Sequence, residues 1–373
     1  MTGRERLIAA LNRKPVDRIP WSLCMDAYYT SSLVEQGFSM NLLETLRYLR
    51  NDIMERHVPT YQTIYKNLSY EEQKSPEEWT RFFHTPVGDL TEISRSKGHT
   101  HYIAKHLITS YEDLKTFLYV LKNTEYQPDF AYFIKRDHEI GEDGMATPTA
   151  PYTPIQAFLQ HLIGVENTVY FLADYPDLMD EILELLHERN KEAYKIIRDC
   201  PTPVIFAYED TSTTVMSRWM YEKYCSKQID EYADIIHNSG KIFITHMCGK
   251  LKGFADLVKA GKQDGVDSLC PPTTGDFWAH EARACWGEEK VIIGGLEPPI
   301  LVRLTEEETI RYTVRVINQM APGNSFILSS GDAVSYGTPI ENLLAITRLI
   351  EEYGSYPLTG TIDEDEAVAR LCK

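Results

Sequence analysis

The chain reads as one (β/α)8 barrel over residues 1–373. Three observations lead there. After Pro203, short apolar runs alternate with amphipathic helical segments, the pattern of βα units on a parallel sheet. At least five such units follow that proline and more precede it, which favours a closed barrel over an open sheet. Hydrophobic residues make up 43% of the 373 positions, ample for one large core. No GxGxxG or GKS/T loop follows any of these strands, so a nucleotide-binding open sheet is not indicated.

Residues 1–140 read as helices and a hairpin added to the barrel. Arg4–Asn12 has helical spacing, and an extended stretch, Ile19–Met25, ends in Asp26. Leu42–Met54 reads as helix and Ile53–Val58 as strand, whereas Thr60–Glu72 shows no core pattern. Ser75–Phe83 reads as helix, with Pro76 in its first turn. In Val87–His106, β-branched residues flank Lys97-Gly98, which signals an antiparallel hairpin. His99, His101 and His106 there read as a solvated face, because no third ligand type lies nearby. Tyr111–Leu121 and Phe130–Ile140 are helical by apolar spacing.

Residues 141–355 are more regular. Met145–Ala150 reads as strand, and Ile155–Leu162 and Pro176–Arg198 as helices. Strands Val204–Tyr208, Ile242–Thr245, Val266–Leu269, Val291–Gly294 and Phe326–Ser329 then alternate with helices. These are Tyr221–His237, Leu251–Ala260, Phe277–Trp286, Thr305–Met320 and a last one from Thr338 to Gly354. Thr305 with Glu308, and Thr338 with Glu341, read as capping boxes. The acidic tail, 356–373, reads as loosely attached.

Charge narrows the function. Asp and Glu number 55 against 38 Lys and Arg, a formal charge of −17. Such a surface repels phosphate backbones and anionic lipid heads, so neither nucleic acid nor membrane is an expected partner. The N-terminus is charged from the start, with no apolar signal segment. Seven cysteines, an odd number spread thinly, suit free thiols or metal ligands in a reducing compartment. A cytoplasmic protein is expected.

The chemistry centres on Lys241–Lys250, KIFITHMCGK. Alternate side chains of an extended segment point the same way, so His246 and Cys248 share one side of a strand end. Imidazole plus thiolate is a zinc-type pair. In parallel barrels the active site lies at the C-terminal ends of the strands. Those ends here carry Asp26, Tyr208, Glu209, Asp210, His246, Cys248, Cys270, Glu297 and Asp332. A catalytic zinc needs a third protein ligand, and Asp332, Glu209 and Cys270 are the candidates. Glu209 reads alternatively as a proton acceptor, and Asp210 as either a catalytic acid or a helix N-cap. Asp26, Tyr208, Cys270 and Glu297 are expected around the substrate. Cys270 reads equally as a small buried residue, and Glu297 as the end of its strand.

Four blocks carry a family resemblance: RERLIAALNRKPVDRIP, ITHMCGKLKGFADLVKAGKQDGVD, IIGGLEPPILV and SFILSSGDAVSYGTPIENLLAI. In this order they resemble the uroporphyrinogen decarboxylase superfamily and nearly span the chain, with residues 50–140 matching least. The resemblance implies a TIM barrel of that type and one of two activities. Decarboxylases of the superfamily carry an Arg-rich segment after the first strand, but Trp21–Tyr29, WSLCMDAYY, has no Arg. The HxC pair resembles instead the zinc motif of the corrinoid-dependent methyltransferases. Members acting on coenzyme M carry a Cys in an STGC-like segment, where this chain has Ser329-Ser330-Gly331-Asp332. The resemblance therefore makes Asp332 the expected third ligand beside His246 and Cys248; Glu209 and Asp210 are the candidate catalytic residues, with Glu209 or a nearby Tyr expected to protonate the leaving oxygen. A harder oxygen ligand should favour an oxygen substrate, so a methoxylated, aromatic methyl donor is expected. The methyl acceptor would be cob(I)alamin on a partner corrinoid protein, since no DxHxxG segment followed by a corrinoid-binding unit is present. A coenzyme M-type thiol methyltransferase, a decarboxylase and a non-catalytic barrel are the alternatives, and a homodimer is an assembly left open.

Overall fold

The computed structural model describes residues 1–98 and 100–372, so His99 of the hairpin lies outside the described residues. Seven parallel strands form one curled sheet in chain order: β1 (Ile53–Val58), β2 (Gly144–Ala150), β3 (Val204–Tyr208), β4 (Ile242–His246), β5 (Gly265–Leu269), β6 (Val291–Leu296) and β7 (Phe326–Ser330). The extended residues 19–23 lie between its two edges. Ser22 N donates to Leu328 O (3.0 Å), Leu328 N to Pro20 O (2.9 Å) and Asp52 N to Trp21 O (2.8 Å). That segment acts as the eighth stave and closes the barrel between β7 and β1.

Inward and outward faces follow the two-residue period of a strand. Val204, Phe206 and Tyr208 of β3 share an inner cluster with Ile242 and Ile244 of β4, Val291 and Ile293 of β6, and Ile327 of β7. The helix Gly3–Leu11, capped by a Thr2–Glu5 box, adds Leu7, Ala10 and Leu11 to this cluster and plugs one end of the barrel. Alternate residues such as Ile205, Phe243, Ile292 and Leu328 pack outward with the surrounding helices.

A buried ion cluster locks the plug to the closing stave. Asp52, 1% exposed, accepts from Arg6 and from Arg18 (3.2 Å) through Oδ1, and from the Trp21 amide (2.9 Å) through Oδ2. Arg6 also holds Asp17 at 2.7 and 3.0 Å.

The structure departs from the sequence reading in four places. Glu78–Thr85 is a strand, where a helix over Ser75–Phe83 was expected. Ser75 and Pro76 belong to a hairpin turn instead, with Ser75 N bonded to Glu78 O at 2.8 Å. The segment's alternating aromatic and β-branched residues fit a sheet better than its proline fits a helix start. The expected hairpin thus becomes a four-stranded antiparallel sheet of Ser69–Lys74, Glu78–Thr85, Gly88–Lys97 and Thr100–Lys105. Thr60–Glu72 supplies the first of these and also Tyr61–Tyr65, which pairs with Thr124–Pro128. The Thr338–Glu341 box does not form: Thr338 Oγ1 donates to Ser335 O, and the Ile340 amide is capped by Gln36 Oε1 at 3.0 Å. The tail is attached, because Glu364–Leu371 is a helix that buries Ala367 and Val368. Among the described residues no helix is long and apolar enough to cross a membrane.

Candidate metal centre

Parallel register builds the site. His246 at the end of β4 pairs with Tyr208 of β3 on one side and Asp267 of β5 on the other. It follows Ile242 and Ile244 in the inward phase, so its ring enters the barrel. Cys248 lies two residues on. Gly249 then adopts φ +118°, and a Cβ there would sit 2.8 Å from Ser212 Cβ, so only glycine lets this loop pack against the one after β3.

That loop brings the third group. Asp210 Oδ1 lies 3.4 Å from Cys248 Sγ and 3.7 Å from His246 Nε2. Ligand atoms of Asp210, His246 and Cys248 all fall within 4.8 Å of one another. Tyr152 OH donates to the other Asp210 oxygen at 3.0 Å. Behind the imidazole, Nδ1 lies 2.7 Å from Asp267 Oδ2, and Asp267 Oδ1 accepts from Arg56 at 2.8 Å.

Asp210 and His246 line a cavity of about 220 Å³ at the strands' C-terminal ends, with Cys248 beside them. Leu23, Leu42, Leu46 and Met54 make its apolar wall. Tyr208 and His57 stack at 4.0 Å between ring centroids as a second wall.

The electrostatics favour a cation. Burial pushes the Cys248 thiol pKa up, and Asp210 and Asp332 push it further. Burial also raises Asp332 against the pull of His246. Burial works against charge on His246, yet Asp267, with Asp210 and Asp332, lifts its pKa above the ordinary value. For Asp267 burial is overridden by Arg56 and His246, which hold it below the carboxylate range. A divalent ion between these groups would relieve the crowding of carboxylates and convert the thiol to thiolate. One nitrogen, one sulfur and one oxygen donor form a set that zinc accepts.

The other expected residues divide. Asp26, Tyr208 and Asp332 line the cavity. Asp26 also caps the helix Ala27–Ser32 through the amides of Tyr28 and Tyr29. Asp332 falls outside the three-residue group, on the loop after β7, where its Oδ1 accepts from the amide of Ala333 at 2.7 Å. Of the two carboxylates, Asp210 is the one that lies with His246 and Cys248. Glu209, Cys270 and Glu297 are not on the cavity wall. Glu209 is fully buried and accepts from Thr153 N (2.8 Å) and Thr153 Oγ1 (2.7 Å), tying β3 to the loop after β2. Cys270 fills the space beside Gly331, where a Cβ would lie 2.8 Å from its sulfur. Glu297 holds the 271–275 loop through Thr273 and Thr274.

Arg56, His57, Tyr152 and Asp267 were not singled out from sequence. Arg56 and His57 close the expected strand Ile53–Val58, so the strand-end rule already pointed to them. Nothing in the spacing of Asp267 pointed to His246.

Burial raises Glu209 from the ordinary 4.5 to about 8. Between those values the folded chain keeps a proton that the unfolded chain releases, so this group costs stability as pH rises. Glu209→Gln keeps an acceptor for Thr153 N and a hydrogen for Thr153 Oγ1. Its unfolding midpoint should gain on the parent's between about pH 5 and 8 and run parallel below that window, measured by denaturant titration.

Fold and site together define a TIM-type barrel with metal-type ligands at its catalytic mouth. Residues 146–353, more than half the chain, match the family model described as uroporphyrinogen decarboxylase (URO-D), and the chain belongs to that family. Among solved structures, a methyltransferase from Methanosarcina mazei shares the fold. The alignment covers 95% of this chain and 99% of that one, with a TM-score of 0.63 and 15% sequence identity. No curated protein sequence matches the chain.

Proposed function

We propose that the chain is a corrinoid-protein-dependent methyltransferase that uses zinc to activate a methoxylated, aromatic substrate. The observation that carries this reading is the convergence of His246, Cys248 and Asp210 at the edge of a half-apolar cavity that His246 and Asp210 line. The fold shared with a methyltransferase supports it. Zinc held there would supply Lewis acidity toward a poor oxygen leaving group. The rest falls to the chain. The leucine–methionine wall and the Tyr208–His57 stack would take the aromatic ring and exclude water from it. Transfer of the methyl group to cob(I)alamin on the partner would break the C–O bond and leave an oxygen that needs a proton. Tyr152, bonded to Asp210, and Tyr208 are the hydroxyls on the cavity wall that could provide one. Glu209 is turned away toward Thr153.

Cavity size bears on the alternatives. About 220 Å³ is below the usual range of ligand pockets, roughly 300–1,000 Å³, and suits a small aromatic compound better than a tetrapyrrole. The corrinoid would therefore stay on its partner protein. Arg56, among the described residues the one arginine on the cavity wall, is committed to Asp267, which also argues against gripping a polycarboxylate.

The test is methyl transfer from aryl methyl ethers to a corrinoid protein in the cob(I)alamin state, followed by the visible spectrum of the corrinoid. Methylcobalamin formed only with this chain and zinc supports the reading. No transfer across a panel of such ethers, with zinc bound, would sink the substrate class. The third ligand is tested separately. Asp210→Ala should lose more zinc than Asp332→Ala, by elemental analysis, and the reverse order would return Asp332 to the metal.

A further inference from the structure

We propose that Arg56 and Asp267 are positioning residues for His246, fixing the tautomer and the roll of its ring so that Nε2 faces Asp210 and Cys248. This rests on the metal reading above. The geometry is continuous. Asp267 divides its carboxylate, with Oδ2 2.7 Å from His246 Nδ1 and Oδ1 2.8 Å from Arg56 Nη2. Arg56 Nη1 donates to Leu23 O at 3.2 Å, on the stave that closes the barrel. The side chains are 1%, 6% and 5% exposed for Asp267, His246 and Arg56. Arg56 comes from β1 and Asp267 from β5, which are not neighbours in the sheet. The pair therefore spans the barrel interior at the level of the cavity.

The chemistry follows from donor counts. An ionised carboxylate only accepts, so Nδ1 carries the hydrogen, and in the neutral ring that a metal requires Nε2 keeps its lone pair. Nε2 is the nitrogen 3.7 Å from Asp210. A free ring could rotate or exchange tautomers, and either change would aim an N–H or a carbon at the metal position. Carboxylates behind metal-bound histidines restrain both motions. One arm of the Arg56 guanidinium holds that carboxylate from its far side while the other is anchored on Leu23 O, and the group supplies the cation a buried anion requires. A pair that only filled the barrel would affect folding and leave the metal position indifferent.

The experiment is zinc binding to the metal-free chain by chelator competition, with thermal unfolding of the same metal-free samples. Asp267→Asn and Arg56→Met should weaken zinc binding roughly ten- to a hundred-fold. Arg56→Lys, which keeps the charge but not the fork, should recover part of that loss. Cobalt(II) in place of zinc should show shifted visible bands in Asp267→Asn. Should Arg56→Met fail to fold, the double variant Arg56→Met/Asp267→Leu leaves no lone charge and should fold yet bind zinc as weakly. Variants that bind zinc as tightly as the parent, whatever their unfolding temperatures, overturn the positioning role and leave the metal reading standing. A parent chain that takes up no zinc overturns both.

Discussion

The parent is expected to purify with about one zinc per chain and Cys248→Ala without it, given that a catalytic zinc has three protein ligands. Removing one of three donors should cost more than the ten- to hundred-fold loss typical of an outer partner, so roughly 100-fold or beyond. His246→Ala should behave alike. Cys270→Ala is the control, because that thiol lies beside Gly331 and outside the group of Asp210, His246 and Cys248. It should keep full metal, although its thiol is as buried as any in the chain. Elemental analysis of the four proteins side by side decides the matter. Zinc retained in Cys248→Ala, or absent from the parent after zinc is supplied, would remove the mechanism proposed above.

The second large effect is on folding. Asp52→Ala leaves Arg6, 5% exposed, without its buried partner and the Trp21 amide without an acceptor. Breaking such a pair from one side costs about 3–5 kcal/mol. Denaturant titration of Asp52→Ala should show a loss of this size, since the cluster joins the N-terminal plug to the stave that closes the barrel. Asp52→Asn restores an acceptor for Trp21 but no charge for Arg6, and should fall between. A loss below about 1 kcal/mol for the alanine variant would show that the plug and the stave are held by apolar packing alone.

Most of the barrel was legible because its signals are local. A strand buried on both faces reads as a short apolar run, and a helix on the sheet reads as a 3.6-residue stripe. Pro176–Arg198 and Val204–Tyr208 stand where periodicity puts them. Residues 60–106 were harder. Their antiparallel strands are half-exposed, so the apolar alternation is faint, and Pro76 imitated a helix start while serving a hairpin turn.

The same division runs through the site. That His246 and Cys248 sit together at a strand end is a local fact, set by the two-residue period of extended chain and by Gly249. Which carboxylate joins them is not local. Asp210 and Asp332 both follow strand ends and both line the cavity, and only the turn after β3 brings Asp210 to 3.4 Å from the thiol. Asp267 meets His246 through the register of β4 against β5, and Arg56 reaches Asp267 because the closed barrel puts β1 across from β5. The sequence by itself determined the strand ends and the residue types gathered at them. Tertiary structure decided which of those residues touch, because register and barrel closure are relations between segments that no single segment's periodicity encodes.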